Sequence, residues 1–447
     1  MRSRPRTFVQ RNALPIAWLV LLIIYILGGT HLVSFHGDES TQIYMSRDYG
    51  YQFILRDLER LRYSETPASA TEQELRLLNG TLSKYLIGLS WHLRGFSLDD
   101  LNEQWDWGAG WDYNVQNGHR PSDDLLQTAR WPSALLLAAG VVVMFLLGQA
   151  VGGRPAAYTA SLYYAINPAL LINGRRAMME GSFTFFSLLT LLTACWLLLR
   201  PSWRSALALG VVSGLALASK HTAVFTVVTV FITCGVYIFA RTIRTWRAIP
   251  VHIVLRLLLA AVVALLVFYA LNPAWWGDPF GRAGTVLDMR QRLLAGQSAA
   301  FGAYPDFGAQ VSGFLRQTLL DLPQYAEAPG WLEHIGPQIT AYEASVWRGV
   351  SVGGSDFGAA ILAVMIATGV WAVLRFKRIR AAVRTLIGAW ALVMALTTLL
   401  LTPLEWQRYY LPVYPAVALM AGLGVSRLAA ALNRANRINP TGNHARR

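Results

Sequence analysis

The sequence predicts an all-α polytopic membrane protein, a bundle of about ten transmembrane helices. Three observations carry this prediction. The 447-residue chain is 54% hydrophobic and only 14% charged, whereas a soluble domain carries about 25% charged residues. Apolar runs of 18 or more residues recur along the chain, the length that matches a hydrocarbon core of about 30 Å. The arginines cluster in short segments between those runs, which is the positive-inside pattern. That clustering also argues against nucleic acid as the partner of a chain whose formal charge is +14.

The N-terminus, MRSRPRTFVQR, reads as the basic flank of an uncleaved signal anchor, because the apolar segment Ala13 to Gly29 outruns a signal-peptide core and no convincing A-x-A site follows. Ten spans are expected at 13–33, 131–150, 155–172, 177–199, 205–219, 222–240, 251–271, 357–374, 383–401 and 407–430. Ser205 to Ala240 is one stretch of 36 residues broken only by Ser219-Lys220-His221. As a single helix it would be about 54 Å long, so two short crossings with a turn at Lys220 fit better. "NGRRAMME" (173–180) must likewise be a turn, since two unpaired arginines do not sit mid-membrane.

With ten spans the basic segments share one side, the cytoplasm. The chain then divides into a tail and first span (1–33), a first outer loop (34–130), spans two to seven (131–271), a second outer loop (272–356), spans eight to ten (357–430) and a basic cytoplasmic tail (431–447). The first outer loop holds fifteen Asp/Glu against nine Lys/Arg. Two stripes in it recur at helical spacing, Tyr51, Leu55, Leu58, Leu61 and Leu82, Leu86, Leu89, Leu93. Both read as interfacial helices. Cys195 and Cys234 lie inside apolar runs and offer neither a disulfide framework nor metal-ligand spacing.

Ionisable residues gather at the outer mouth: His36, Asp38 and Glu39 in "SFHGDES", Lys84, Arg175, Arg176 and Glu180, Lys220 and His221, and Arg408 with Tyr409. Carboxylates and cations converging from separate helices suit transfer of a sugar from a lipid phosphate. The acceptor must lose a proton, which needs a carboxylate base. The phosphate leaving group needs no proton, only cations for its developing charge. Gly-Asp-Glu-Ser is also a plausible helix start, in which Asp38 would be a cap. His36, His221 and His334 with Glu39 are the residues a divalent cation would use, although their spacing is not that of metal ligands. Trp275 and Trp276 suit an interface belt or sugar stacking.

At these residues the chain resembles the GT-C superfamily of membrane glycosyltransferases, close to the protein O-mannosyltransferases of glycosyltransferase family 39 and the lipid A aminoarabinose transferases. "HGDE" is similar to the motif opening the family's first outer loop, "NGTLSKYLIGL" (79–89) to its lysine stretch, and "ARWPSALL" (129–136) to the start of its second span. "GRRAMMEGSFTFF" (174–186) resembles its second motif, "LALASKHTAVF" (215–225) its span-five lysine segment and "RYYLPVYPAVAL" (408–419) its final span. NGT replaces the family's HPP. The resemblance implies a GT-C-type bundle and an inverting transfer of a mannose-like hexose or related sugar from a polyprenyl-phosphate donor. It implies Asp38, Glu39 and Glu180 in catalysis, Lys84, Arg175, Lys220 and Arg408 around the donor phosphate, and His36, Arg176, His221 and Tyr409 in secondary roles. The acceptor, an extracytoplasmic protein, lipid or glycan, stays open, as does its side chain chemistry. A secondary transporter is the rival from another class, but it would hold its charges near the midplane on broken helices. A polysaccharide polymerase or envelope scaffold is the other.

Overall fold

The computed structural model describes residues 8–245, 251–375 and 380–438. The basic N-terminal stretch, the end of the C-terminal tail and parts of the arginine segments at 241–247 and 375–384 lie outside the described residues. Every regular element among the described residues is helical. Seven helices are long and apolar enough to cross a membrane, and the shorter apolar helices Ala13–Gly28 and Trp203–Ser219 join them. The helix Val251–Leu271 turns Val262, Leu265 and Leu266 outward at 52%, 64% and 61% exposure. An apolar helix with so little cover is stable only in lipid, and the chain is an integral multi-pass membrane protein.

The longest helix, Asp123–Ile166, contains two of the expected spans. It folds back at Gly153, whose φ of 72° and ψ of −161° lie outside helical space and suit glycine alone. Pro155 follows, without an N–H to continue the ladder. The two arms then pack antiparallel, with Tyr164 Oη donating to Leu137 O at 3.1 Å. This hairpin packs against Phe8–Gly28, Glu180–Leu199 and Tyr414–Ile438, burying Val141, Met144, Leu188, Leu191 and Leu419. The expected break at Lys220 is present. Trp203–Ser219 ends there, Lys220 is extended at φ −161° and ψ 136°, and Ala223–Thr245 begins three residues later.

Three expectations need correction. The first span stops at Gly28, not at residue 33, and Asp38 opens a separate helix, Gly37–Met45. The stripe at 51–61 is not one helix. Its chain turns at Arg56, with φ 58°, between a wide turn at Gly50–Ile54 and a tight one at Glu59–Leu61. An unforeseen amphipathic helix, Ala70–Leu78, follows. The last span begins at Tyr414 rather than 407, because Pro412 and Pro415 set its start. The expected helix through 82–93 forms as Thr81–Leu93. It buries Lys84 at 1% exposure and leaves Leu89 and Leu93 at 40% and 74%.

The segment 272–356 contributes helices Pro279–Phe301, Phe307–Leu315 and Leu332–Ala344. Asp321 lies between the last two, left-handed at φ 52° and buried at 1% exposure. Its carboxyl accepts from Asn167, and burial pushes its pKa well above the usual range. Asparagine matches the carboxyl in shape, tolerates left-handed space and keeps an oxygen for the Asn167 amide. Asp321→Asn should therefore shift stability by no more than about 0.5 kcal/mol in a detergent thermal melt. Asp321→Leu should cost about 2–3 kcal/mol or more, through backbone strain and the stranded Asn167 amide.

Candidate functional site

The helix Gly37–Met45 starts in a reciprocal cap. Asp38 N donates to His36 Nδ1 at 3.1 Å, and His36 N donates to Glu39 Oε2 at 3.1 Å. His36, not Asp38, is the N-cap. The Asp38 carboxylate is left to pair with the Arg408 guanidinium, and its side chain keeps 27% exposure. Because His36 Nδ1 accepts, its Nε2 carries the proton toward Glu327 Oε2, 2.6 Å away. Glu327 Oε1 faces Arg408 Nε at 3.3 Å. Asp38, His36, Glu327 and Arg408 thus form a closed ring of polar groups. Burial pushes the His36 pKa down against the pull of Glu327. Glu327 stays below the usual carboxylate range although burial opposes it, because His36 and Arg176 face it. Trp406 and Tyr409 flank Arg408, their ring centres 5.0 and 5.6 Å from its guanidinium.

Glu39 is fully buried. It holds Arg130 through two contacts of 2.8 Å and accepts from Ala177 N at 2.8 Å. Burial raises its pKa, and Arg130 and Arg176 more than offset that, holding it below its ordinary value. Glu39 ties the start of Gly37–Met45 to the long helix and to the 173–180 turn. It is fully enclosed by these partners. Arg175 is equally enclosed. It donates to Tyr25 O, Ile26 O, Trp347 O and Tyr342 Oη at 2.6–2.7 Å, so a cradle that uses Arg175 as a direct phosphate ligand does not match this geometry. Arg176 donates to Ser34 O, Ser34 Oγ and Tyr325 O.

A second set of groups lies where three helices converge. Lys220 Nζ reaches Glu180 Oε1 at 2.8 Å, and Glu180 Oε2 is buried without a partner. Ser83 Oγ and Ser182 Oγ are 2.7 Å apart, Gly80 N points to Met179 Sδ at 3.3 Å, and Gln42 Nε2 donates to Asn79 Oδ1 at 3.2 Å. Lys84 is closed off on Asp48 at 2.7 Å, and Arg76 shares that carboxylate and Glu72. Burial raises the Asp48 pKa, but Lys84 and Arg76 hold it below the usual range. His221 sits edge-on to Trp275 at 6.0 Å. Its pKa is pushed down to about 4 by burial, with Arg290 and Lys84 adding to the effect, so it is neutral at pH 7.

Sequence reasoning missed Arg130, Glu327, Asp48, Arg76 and Arg290. Arg290 is half-buried and comes from Pro279–Phe301, whose Gln297 also accepts from Tyr409 Oη at 2.7 Å. Its guanidinium lies 5.8 Å from the Tyr409 ring centre. The segment 272–356 thus brings a cation to the same mouth. The histidines suggested for a metal are dispersed: His36 is on Glu327, His221 on Trp275 and His334 stacked on Trp111. Among the described residues no three His, Cys, Asp or Glu side chains gather as a metal site.

Residues 73–274 match the family model described as dolichyl-phosphate-mannose-protein mannosyltransferase. Lys84, Arg175, Arg176, Glu180, Lys220 and His221 fall inside that match, whereas His36, Asp38, Glu39, Arg408 and Tyr409 fall outside it. No curated protein matches the chain. Among solved structures, the Archaeoglobus fulgidus oligosaccharyltransferase in its apo form aligns with a TM-score of 0.56 at 12% identity, covering 99% of this chain and 53% of that one. This chain therefore spans about half the length of that protein. The S. cerevisiae protein O-mannosyltransferase complex bound to the sugar donor aligns at 17% identity with a TM-score of 0.44, covering 62% of this chain and 35% of that one. ArnT from Cupriavidus metallidurans bound to undecaprenyl phosphate aligns at 14% identity with a TM-score of 0.39, covering 96% and 81%. Residues 73–274 are thus similar to the dolichyl-phosphate-mannose-protein mannosyltransferase family, and the all-helical fold is similar to that of the Archaeoglobus fulgidus oligosaccharyltransferase.

Proposed function

We propose that this protein is an inverting membrane glycosyltransferase that moves a mannose-like sugar from a polyprenyl-phosphate donor to an acceptor on the extracytoplasmic side. One observation carries the reading: Asp38 retains a partly exposed carboxylate, free of capping duty, facing the Arg408 guanidinium. The family description supports a lipid-phosphate sugar as donor, and the arginine asymmetry of the loops supports the sidedness.

In the proposed step Asp38 takes the proton of the acceptor as the acceptor oxygen or nitrogen attacks the anomeric carbon. The bond from that carbon to the phosphate oxygen breaks, and its electron pair leaves with the polyprenyl phosphate. A single displacement inverts the anomeric centre. Lys220, Arg408 and Arg290 are the cations assigned to the departing charge. Lys220 and Arg408 keep 18% and 12% of their side chains exposed. Lys84, enclosed on Asp48, and Arg175, enclosed by carbonyl oxygens, raise the local positive potential without touching the phosphate. Glu180 orients Lys220, and Glu39 orients the backbone that presents Asp38.

Lys220→Met and Arg290→Met should each raise the donor KM about tenfold or more with folded yield retained, the loss expected for one charge-assisted contact. Arg175→Met should instead lower folded yield, since it strands four acceptors, two of them in fully buried contacts. The proposal fails if both Lys220→Met and Arg290→Met keep the wild-type donor KM in a label-transfer assay.

A further inference from the structure

Beside Asp38 the outer surface carries a layer of aromatic rings that the transfer step does not use. Trp105, Trp107, Trp111 and Trp331 come from the loop before residue 110, the short helix Trp111–Gln116 and the turn Pro329–Trp331. Trp107 and Trp331 stack at 5.4 Å with planes 16° apart, and Trp111 stacks on His334 at 4.9 Å and 5°. Trp331 also meets His36 at 5.4 Å. The layer reaches the motif itself. A Cβ on Gly37 would come within 2.6 Å of Trp331, 3.0 Å of Trp107 and 3.1 Å of Trp105, so the glycine of "HGDE" is what lets three indoles close on the residue next to Asp38. Trp107 is 52% exposed, which leaves indole surface open to solvent.

We propose that this layer is the acceptor subsite and that the acceptor is a carbohydrate chain whose terminal ring stacks on Trp107. The inference rests on the transferase reading above and names its acceptor class. A pyranose presents a face of C–H groups that suits an indole, and hydroxyls around its rim that need acceptors. Those acceptors stand around the aromatic layer. Glu103, Asp106, Asp112 and Glu333 are exposed, and the Gln104 amide holds Thr41 of the Asp38 helix. The same carboxylates repel anionic lipid headgroups, which disfavours a headgroup-anchoring role. The layer touches Gly37, the residue before Asp38, so a ring stacked here lies beside the motif that carries the base.

The test uses the full chain in lipid nanodiscs without donor, probed by saturation-transfer NMR with linear tetrasaccharides of mannose, glucose and galactose. At least one tetrasaccharide should receive transfer at its C–H protons. Trp107→Ala should weaken its binding about tenfold, as expected for loss of one aromatic stacking contact. Trp107→Phe should restore most of it, and Trp203→Ala, an exposed indole on another helix, should change nothing. No binding by any tetrasaccharide, or binding indifferent to Trp107→Ala, overturns the subsite. So does Trp107-dependent binding of a Ser/Thr peptide or of anionic vesicles in place of saccharides. A chain that binds saccharide through Trp107 yet transfers no sugar from a polyprenyl phosphate would refute the transferase reading and leave the saccharide site intact.

Discussion

Asp38→Asn should fold normally and lose sugar transfer by about 10²–10⁴-fold, the usual cost of removing a general base. The size of the effect separates the two roles that "GDES" suggests. A lost helix cap costs about 1 kcal/mol, and asparagine replaces it well. Here the capping is done by His36 and Glu39, so Asp38→Asn leaves the cap intact, and the backbone N–H that donates to His36 Nδ1 is unaltered. What changes is the carboxylate opposite Arg408. An amide cannot accept the acceptor's proton. The check is label transfer together with a thermal melt on the same preparation. A well-folded Asp38→Asn protein with near-normal transfer would sink the base assignment.

The second large effect should appear in folding rather than in chemistry. Arg130→Met should cost about 3–5 kcal/mol, the penalty for leaving a buried charge without its partner. Glu39 has no exposure, and Arg130 supplies two of its four hydrogen bonds, alongside Ala177 N and His36 N. Most Arg130→Met protein should therefore fail to purify as a monodisperse species, and any that does should melt far below wild type. Acid should mimic the loss. The folded Glu39 pKa lies below its ordinary value of 4.5, so its contribution is present above about pH 4.5 and fades as the pH falls toward the lowered value. Arg130→Met that melts like wild type would show the pair to be dispensable.

The helical pattern was legible where polar residues interrupt apolar runs. Gly-Gly-Arg-Pro at 152–155 and Ser-Lys-His at 219–221 mark the hairpin at Gly153 and the break at Lys220, because a charge or proline inside a long apolar run has few other places to go. Leucine spacing alone misled at 51–61, since side-chain periodicity carries no sign of the left-handed turn at Arg56. The composition of the mouth was legible, but its pairing was not. Arg175 and Arg176 are neighbours with similar surroundings in sequence, yet each is occupied by a different set of carbonyl and hydroxyl oxygens. His36 and Glu327 are 291 residues apart, and nothing local to either predicts the contact. The aromatic layer on Gly37 is hidden for the same reason, as its indoles come from segments far apart in the chain.

The central claim is that sugar leaves a polyprenyl phosphate at this mouth and arrives on an acceptor. The most direct measurement reconstitutes the purified protein in liposomes with a polyprenyl-phosphate sugar labelled in the sugar, and follows label, lipid and anomeric configuration together. The account predicts one polyprenyl phosphate released for each labelled sugar joined to acceptor, with the anomeric configuration inverted, and no such product with Asp38→Asn. Labelled donor that crosses the bilayer unaltered, or product with retained configuration, would contradict it.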